Sequence, residues 1–305
     1  MKYIFFDQSN KLRSGWRAAI FLLAFFVLAK IFLTIEEIVI SSLTIDLETA
    51  KLLFFVVNSL GLLLLALLLG GIAGKFFENL PYKALGAAFT KGWLRHLTVG
   101  IAIGGATLSL AVLITLIFGG ESFELNLSGG MAAIASSLAV SFVIFAAGAA
   151  WEEAFFRGYI LQTFSRSGLA WLAILLTSLF FGAVHLGNPN ANLISTVNTI
   201  LAGIWFSVAY LKTRDLWFVW GIHLMWNWMQ GSFFGIEVSG LTNITTTPLL
   251  KEIDSGPSWL TGQTYGIEGG VACTIALIIS TIIICYLPLP VSRHLYLERY
   301  IHRTG

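Results

Sequence analysis

Residues 52–73 read LLFFVVNSLGLLLLALLLGGIA, an apolar run without a single charged side chain. A helix needs about 20 apolar residues to cross the roughly 30 Å hydrocarbon core of a bilayer, so this run predicts a transmembrane helix. Similar runs occur before and after it. Together they predict eight spans, at residues 18–35, 52–73, 97–118, 131–151, 169–187, 193–211, 216–236 and 270–287.

The composition of all 305 residues agrees with these spans. Hydrophobic residues make up 57% of the chain and charged residues only 11%, whereas soluble proteins carry about 25% charged residues. A net charge of +2 gives no reason to expect nucleic acid as a partner, and two cysteines exclude a disulfide scaffold. We therefore predict one integral membrane domain over residues 1–305, an all-α polytopic helix bundle in a lipid bilayer.

Basic residues collect on one side of the predicted spans. With both termini inside, 15 of the 18 lysines and arginines are cytoplasmic, all except Lys30, Lys51 and Lys251. Because lysine and arginine are enriched in cytoplasmic loops, we expect a multi-pass protein of the cell membrane with cytoplasmic termini. Gly100 and Gly104, four residues apart in the third span, predict a close approach to another helix.

Few side chains within the spans can ionise, and each is a candidate functional residue because burying a charge in a bilayer is costly. The candidates are Lys30, Glu152, Glu153, Arg157, His185 and His223, with the amide of Asn227 beside them. Lys30 lies near the end of its span and is expected to extend its amine to the membrane surface.

The segment Trp151-Glu152-Glu153-Ala154-Phe155-Phe156-Arg157 holds two acids and one base on a predicted helix. Residues four apart share a helix face, so Glu153 and Arg157 are expected to form an ion pair. Glu152 lies about 140° from Arg157 around the axis and must find a different partner. The two neighbouring acids are therefore expected to differ, and Glu152 suits the role of a general base or acid.

The two histidines follow on later spans. A hairpin turning at residues 166–168 places Glu152 about 21 Å and His185 about 26 Å from the turn, whereas His223 lies about 12 Å beyond Asp215. If residues 157–168 protrude from the membrane by roughly 10 Å, Glu152, His185, His223 and Asn227 meet in its cytoplasmic half. Any one of them alone could be a structural contact between helices.

Three short motifs in this order resemble a known family. Glu152-Glu153-x-x-x-Arg157, Phe181-x-x-x-His185 and His223-x-x-x-Asn227 look like the motifs of the CAAX-protease and bacteriocin-processing family, which includes the type II CAAX prenyl endopeptidases and the bacterial ABI proteins. The resemblance covers residues 135–230, the family's catalytic core.

The resemblance implies an intramembrane endopeptidase, a class often labelled metalloprotease. It implies that Glu152 and His185 activate water, that His223 and Asn227 stabilise the oxyanion, and that Glu153 and Arg157 play a supporting role. Glu, His, His and Asn could also hold zinc, although one glutamate cannot easily be both ligand and base. We favour a reaction without metal. Phe155, Phe156, Phe181 and Trp226 are expected to line the substrate site.

The expected substrate is a membrane-associated peptide or protein, such as a prenylated CAAX tail or a bacteriocin-type peptide. A non-catalytic scaffold or bacteriocin-immunity protein of the same fold is the alternative. A transporter is a third reading, but the sequence shows no inverted repeat or paired broken helices to favour it. The sequence does not indicate the oligomeric state.

Overall fold

The computed structural model describes residues 2–8, 10–241 and 244–291, and they form a predominantly helical bundle. Three basic residues that the sequence predicts to be cytoplasmic lie outside the described residues: Arg293, Arg299 and Arg303. The helices are α1 (Lys2–Phe5), α2 (Ser14–Ser42), α3 (Leu47–Glu78), α4 (Trp93–Ile117), α5 (Gly130–Glu153), α6 (Leu161–Arg166), α7 (Ala170–His185), α8 (Leu193–Thr213), α9 (Leu216–Trp228), α10 (Ser258–Thr261) and α11 (Val271–Tyr286).

Shorter elements complete the described chain. Single 3₁₀ turns occupy Tyr82–Leu85, Gln263–Tyr265 and Ile267–Gly269, and π-helical turns occupy Ala154–Ile160 and Met229–Phe233. Two strands, β1 (Glu121–Leu125) and β2 (Leu250–Asp254), form one antiparallel pair.

Each of the eight apolar runs coincides with a helix, and five continuous helices are long and apolar enough to cross a membrane. They are Ser14–Ser42, Thr49–Glu78, Trp93–Ile117, Gly130–Arg166 and Leu193–Thr213. The other helices are shorter: α7 and α11 have 16 residues each, about 24 Å of helix, less than a typical hydrocarbon core. A polytopic membrane bundle is therefore established, while eight spans and cytoplasmic termini stay predictions.

The bundle is held together by close helix contacts, of which that between α4 and α9 is the most extensive. Gly100 and Gly104 of α4 lie against the backbone of α9, where a Cβ atom would overlap the carbonyl oxygens of Phe218 and Ile222. The close approach predicted from these two glycines is confirmed. It fixes the helix that carries His223.

The base of α9 is fixed by Asp215. Its carboxylate caps the helix by accepting the Trp217 backbone N–H at 3.0 Å, and it accepts His96 Nδ1 at 2.7 Å. At the same end of the bundle, Glu78 pairs with Arg17 at 3.1 Å and with Arg166 at 2.9 Å. The contacts of Asp215 and Glu78 thus lie at one end of the bundle.

The two-stranded sheet corrects the all-α prediction in one detail. Glu121 lies opposite Asp254 and Leu125 opposite Leu250 in the pair. The segment 237–269 reads as a featureless polar loop in sequence, because a five-residue strand in it gives no clear alternation. The sheet packs this long connection onto the end of α4, where Glu121 accepts the Thr115 hydroxyl at 2.9 Å.

Candidate active site

Four predicted site residues from three helices line one cavity of about 290 Å³. Glu152 lies near the end of α5, His185 is the last residue of α7, and His223 and Asn227 lie one turn apart on α9. The structure therefore brings the three motifs together. A cavity of this size with convergent polar groups in an apolar bundle is the usual form of a ligand or active site.

Glu153 is the central buried contact of the site. One of its oxygens, Oε1, accepts Arg157 Nη1 at 3.0 Å and His223 Nδ1 at 2.9 Å. The expected ion pair between Glu153 and Arg157 is present, and both side chains are almost fully buried. The contact with His223 was not predicted. It makes Glu153 the residue that sets the orientation of the imidazole.

Aromatic rings enclose this ion pair. The Arg157 guanidinium lies 4.9–5.4 Å from the ring centroids of Phe156, Phe181 and Phe206. His223 stacks on Phe206, with centroids 4.6 Å apart. Cation–π contacts and a second hydrogen bond, from Arg157 Nη2 to the Gly203 carbonyl at 3.2 Å, compensate for the loss of hydration of the buried cation.

Glu152 differs from Glu153 as the helical arithmetic predicted. Its side chain is 22% exposed toward the cavity, and its Oε2 lies 4.0 Å from His223 Nε2. Within the described residues this buried oxygen has no hydrogen-bond partner. The separation is too long for a direct hydrogen bond and leaves room for a bridging water. Glu152 is thus a carboxylate that faces the cavity next to an imidazole.

His185 has its orientation fixed by its own helix. Its Nδ1 lies 2.7 Å from the Phe181 carbonyl oxygen, four residues earlier, and its ring packs 4.5 Å from the Phe181 ring. A carbonyl only accepts, so Nδ1 must carry a proton. In the neutral ring Nε2 is then an acceptor, which a proton-accepting role requires.

Two of the three motif-bearing helices, α5 and α9, continue directly into a π-helical turn. The turn after Glu153 is π-helical, with the Leu161 N–H bonded to the Phe156 carbonyl five residues back. The same pattern follows α9, where the Phe234 N–H bonds to the Met229 carbonyl. Single π turns within helices occur often at functional sites, and the apolar pattern of these segments gives no sign of them.

The four aromatic residues predicted to line the substrate site lie in two different places. Phe181 and Trp226 line the cavity. Phe155 is only 3% exposed and lies among Phe21, Phe25 and other rings, 4.4 Å from the Phe25 ring. Phe156 is 2% exposed and packs edge-on against Phe181. The first span, which contributes Phe21 and Phe25, covers these positions, and a local pattern could not show that.

Sequence reasoning missed the polar residues on the other wall of the cavity. Glu268 accepts Trp226 Nε1 at 3.1 Å through Oε1, and the Ser239 N–H at 2.7 Å and Ser239 hydroxyl at 2.6 Å through Oε2. Asn188 and Asn198 line the same wall.

One signal for this wall was available in the sequence, the glycines at 262, 266, 269 and 270 around Glu268. A Cβ at Gly266 would overlap the Glu237 carbonyl oxygen, and its φ of 84° is in the left-handed region. Such glycines indicate a tightly packed backbone rather than a loose loop.

The donor set does not fit a zinc site. His185 and His223 each leave only Nε2 to bind a metal, because both Nδ1 atoms already take part in hydrogen bonds. Among the described residues no three His, Cys, Asp or Glu side chains are grouped as a metal site requires, whereas catalytic zinc has three protein ligands.

The cavity occupies the half of the bundle next to the connections 186–192 and 237–270. Its lining includes Asn188, Ser239 and Glu268 from these connections, whereas Arg17 and Arg166 lie at the opposite end. Two expectations therefore conflict. If the termini are cytoplasmic, the basic end of the bundle faces the cytoplasm. A site in the cytoplasmic half of the membrane would require the bundle to be inserted in the opposite orientation.

Comparison with known proteins agrees with the geometry. Residues 134–229 match the family model described as type II CAAX prenyl endopeptidase Rce1-like. Comparison with curated proteins finds no match. The matched segment begins in α5, ends just after α9 and contains all four cavity-lining motif residues. Residues 134–229 of this membrane protein are therefore similar to the Rce1-like type II CAAX prenyl endopeptidases, a family of proteases.

Proposed function

We propose that the chain is an intramembrane endopeptidase that hydrolyses a peptide bond in a membrane-associated peptide or protein. The observation that carries this proposal is the convergence of Glu152, His185, His223 and Asn227 on one cavity within an apolar bundle. The matched family suggests prenylated CAAX tails as substrates, and the resemblance of the three motifs adds bacteriocin-type peptides.

In this proposal Glu152 and His185 activate the attacking water. The Glu152 carboxylate faces the cavity, and the Nε2 atom of His185 is the acceptor nitrogen of the neutral ring. Removal of a water proton by a positioned base contributes typically 10²–10⁴-fold to a rate. The water oxygen adds to the carbonyl carbon, and the proton passes to Glu152.

His223 and Asn227 then stabilise the oxyanion. Because His223 Nδ1 donates to the Glu153 carboxylate, Nε2 can donate to the oxyanion only from the doubly protonated ring. The Asn227 amide supplies a second donor. When the C–N bond breaks, Glu152 returns its proton to the leaving amine, so the water is consumed and the Glu152 carboxylate is regenerated.

An apolar groove supports a membrane-associated substrate. A second cavity of about 480 Å³ lies between α3, α5 and α9, and its lining includes Leu63, Leu67, Phe142, Trp217 and Trp220. Glu153, which forms the buried ion pair with Arg157, also lines this groove. A hydrocarbon chain of a lipidated peptide suits such a lining, because the groove offers almost no polar surface.

The test is Glu152→Gln, which keeps the size of the side chain and removes the base. We expect it to fold and to lose about 10²–10⁴-fold in cleavage rate. The readout is the set of new peptide ends in membranes of cells that express each variant, with substrates captured on the tagged Glu152→Gln protein. Glu124→Gln, which changes an exposed carboxylate on β1, is the matched control. A scaffold or immunity protein would keep its function in both variants.

A further inference from the structure

The basic end of the bundle brings three guanidinium groups together around one carboxylate. Glu78 pairs with Arg17 at 3.1 Å and with Arg166 at 2.9 Å. A third arginine, Arg214, directly follows α8 and donates through Nη1 to the Ser165 hydroxyl at 3.2 Å, next to Arg166. Glu78 therefore neutralises the first two cations in part and leaves Arg214 without a counter-charge.

Arg214 has no acidic partner among the described residues. The neighbouring Asp215 is fully buried and binds His96 Nδ1 at 2.7 Å. Burial lowers the pKa of the Arg214 guanidinium, Tyr210 raises it, and the like charge of Arg166 lowers it. Because a cation that has lost part of its hydration is stabilised by an opposite charge, this position favours the binding of an anion.

The backbone of Arg214 also indicates a role for its side chain. Its φ of 55° lies in the left-handed region, where helices usually end on glycine or asparagine because other residues are strained there. Its N–H donates to the Tyr210 carbonyl and closes α8. The turn itself does not require an arginine, so the contacts of the guanidinium are the better explanation for this residue.

The surroundings of Arg214 are those of a membrane surface. Helix α8 is long and apolar enough to span a bilayer, and it ends at Thr213, directly before Arg214. Three residues further on, Trp217 packs against Phe89 and Trp93, with ring centroids 4.9 Å apart in both pairs. Tryptophan is enriched at membrane–water interfaces, and basic residues at such a surface attract the phosphate groups of anionic lipids.

We propose that Arg214 and Arg166 form a binding site for an anionic phosphate group, carried by a membrane lipid or free in solution. One of the five N–H groups of Arg214 is bonded to Ser165. Arg166 uses three of its five N–H groups for Glu78 and Gln162, so donors remain on both side chains. Guanidinium groups bind phosphate oxygens through paired, charge-assisted hydrogen bonds.

Such a site links two elements that carry side chains of the candidate active site. Arg166 ends the continuous helix that contains Glu153, and Arg214 directly precedes the capping residue of α9, which carries His223. A phosphate group bound by both arginines holds the ends of these two helices together. Binding at this site does not depend on peptidase activity, so its test needs no peptide substrate.

The test measures binding to the full chain in a non-ionic detergent by microscale thermophoresis. The probes are dioctanoyl phosphatidylglycerol, dioctanoyl phosphatidylcholine and inorganic phosphate. We expect phosphatidylglycerol to bind more tightly than the zwitterionic phosphatidylcholine. Arg214→Asn should weaken the binding of phosphatidylglycerol by about tenfold or more, the loss typical of a hydrogen bond to a charged group. This variant should fold, because asparagine tolerates the left-handed region, and thermal unfolding checks that it does.

Arg95→Gln is the matched control, because it removes one exposed positive charge next to His96 at the same end of the bundle. It should change the affinity by about twofold at most, since salt screens exposed charges. Equal weakening by Arg95→Gln and Arg214→Asn would show a general attraction between charges and would overturn the proposal. Equal binding of the two lipids without any binding of inorganic phosphate would overturn it as well.

The inorganic phosphate arm distinguishes the two sources of the ligand. If inorganic phosphate competes with phosphatidylglycerol and Arg214→Asn removes this competition, the site accepts free phosphate. If phosphatidylglycerol binds through Arg214 and inorganic phosphate does not compete, the ligand is a lipid of the bilayer. Binding of phosphatidylglycerol that is unchanged in a folded Arg214→Asn variant contradicts the site.

Discussion

At the residue scale, two neighbouring glutamates have separate environments because one helical step turns them by about 100°. Glu152 faces the cavity, and Glu153 is buried against Arg157 and His223. The different directions of the two side chains follow from their spacing along one helix. The contact between Glu153 and His223 joins residues 70 positions apart, which spacing within one helix cannot predict.

Glu153 is expected to act on the reaction through His223. Glu153→Gln should cost about 3–5 kcal/mol of stability, because it leaves the Arg157 cation buried without a counter-charge. It should also lower the cleavage rate by about 10²-fold or more, since a carboxylate no longer fixes the imidazole tautomer. Thermal unfolding in detergent and cleavage kinetics measure the two effects.

The double variant Glu153→Gln/Arg157→Met separates these effects. Removing the cation as well should restore much of the stability, because no unpaired charge remains. The rate should stay low, since His223 still lacks its carboxylate. Recovery of both stability and rate would show that the pair is only structural.

At the element scale, the strand pair β1–β2 holds several acids close together. Burial raises the pKa of Glu121 to about 7. The hydrogen bond from Thr115 lowers this pKa, and electrostatic repulsion from nearby Asp254 raises it further. Burial raises the pKa of Glu252 to about 9, with further contributions from Glu121, Glu237 and Asp254. Both carboxyl groups are therefore protonated in the folded sheet at mildly acidic pH.

A raised pKa in the folded state makes the sheet less stable as pH rises. The stabilisation is full below about 4.5, the ordinary value of these carboxyls, and is lost as the pH passes about 7 and then about 9. We expect hydrogen-exchange protection of residues 121–125 and 250–254, corrected for intrinsic rates, to fall roughly tenfold or more between pH 6 and 9. Glu252→Gln should flatten this dependence, and Glu124→Gln should leave it. Protection that rises with pH would contradict the assignment.

At the scale of the whole molecule, the cavity and the basic residues Arg17 and Arg166 lie at opposite ends of the bundle. Because lysine and arginine favour the cytoplasmic side, we expect the basic end to be cytoplasmic and the cavity to open toward the other side of the cell membrane. This arrangement disfavours a site that faces the cytoplasm, which is the orientation that the sequence predicts. Substrates would then approach from the external half of the bilayer.

Labelling of single cysteines tests this orientation. In a variant with Cys273→Ala and Cys285→Ser, Ser255→Cys lies beside the cavity end and Lys83→Cys at the basic end, and both positions are exposed. A membrane-impermeant maleimide should label Ser255→Cys in intact cells and Lys83→Cys only after permeabilisation. The opposite pattern would place the cavity on the cytoplasmic side.

The sequence by itself determined the membrane class, the positions of the helices, the glycine contact of α4 and the pairing of Glu153 with Arg157. These follow from hydropathy and from spacing along one helix, since a backbone in a bilayer must satisfy its hydrogen bonds within the segment. Only the tertiary structure decided that Glu153 binds His223, that Glu268 completes the cavity and that Phe155 and Phe156 are covered. Those contacts join residues that are distant in the chain, and the packing of separate helices, rather than any local pattern, brings them together.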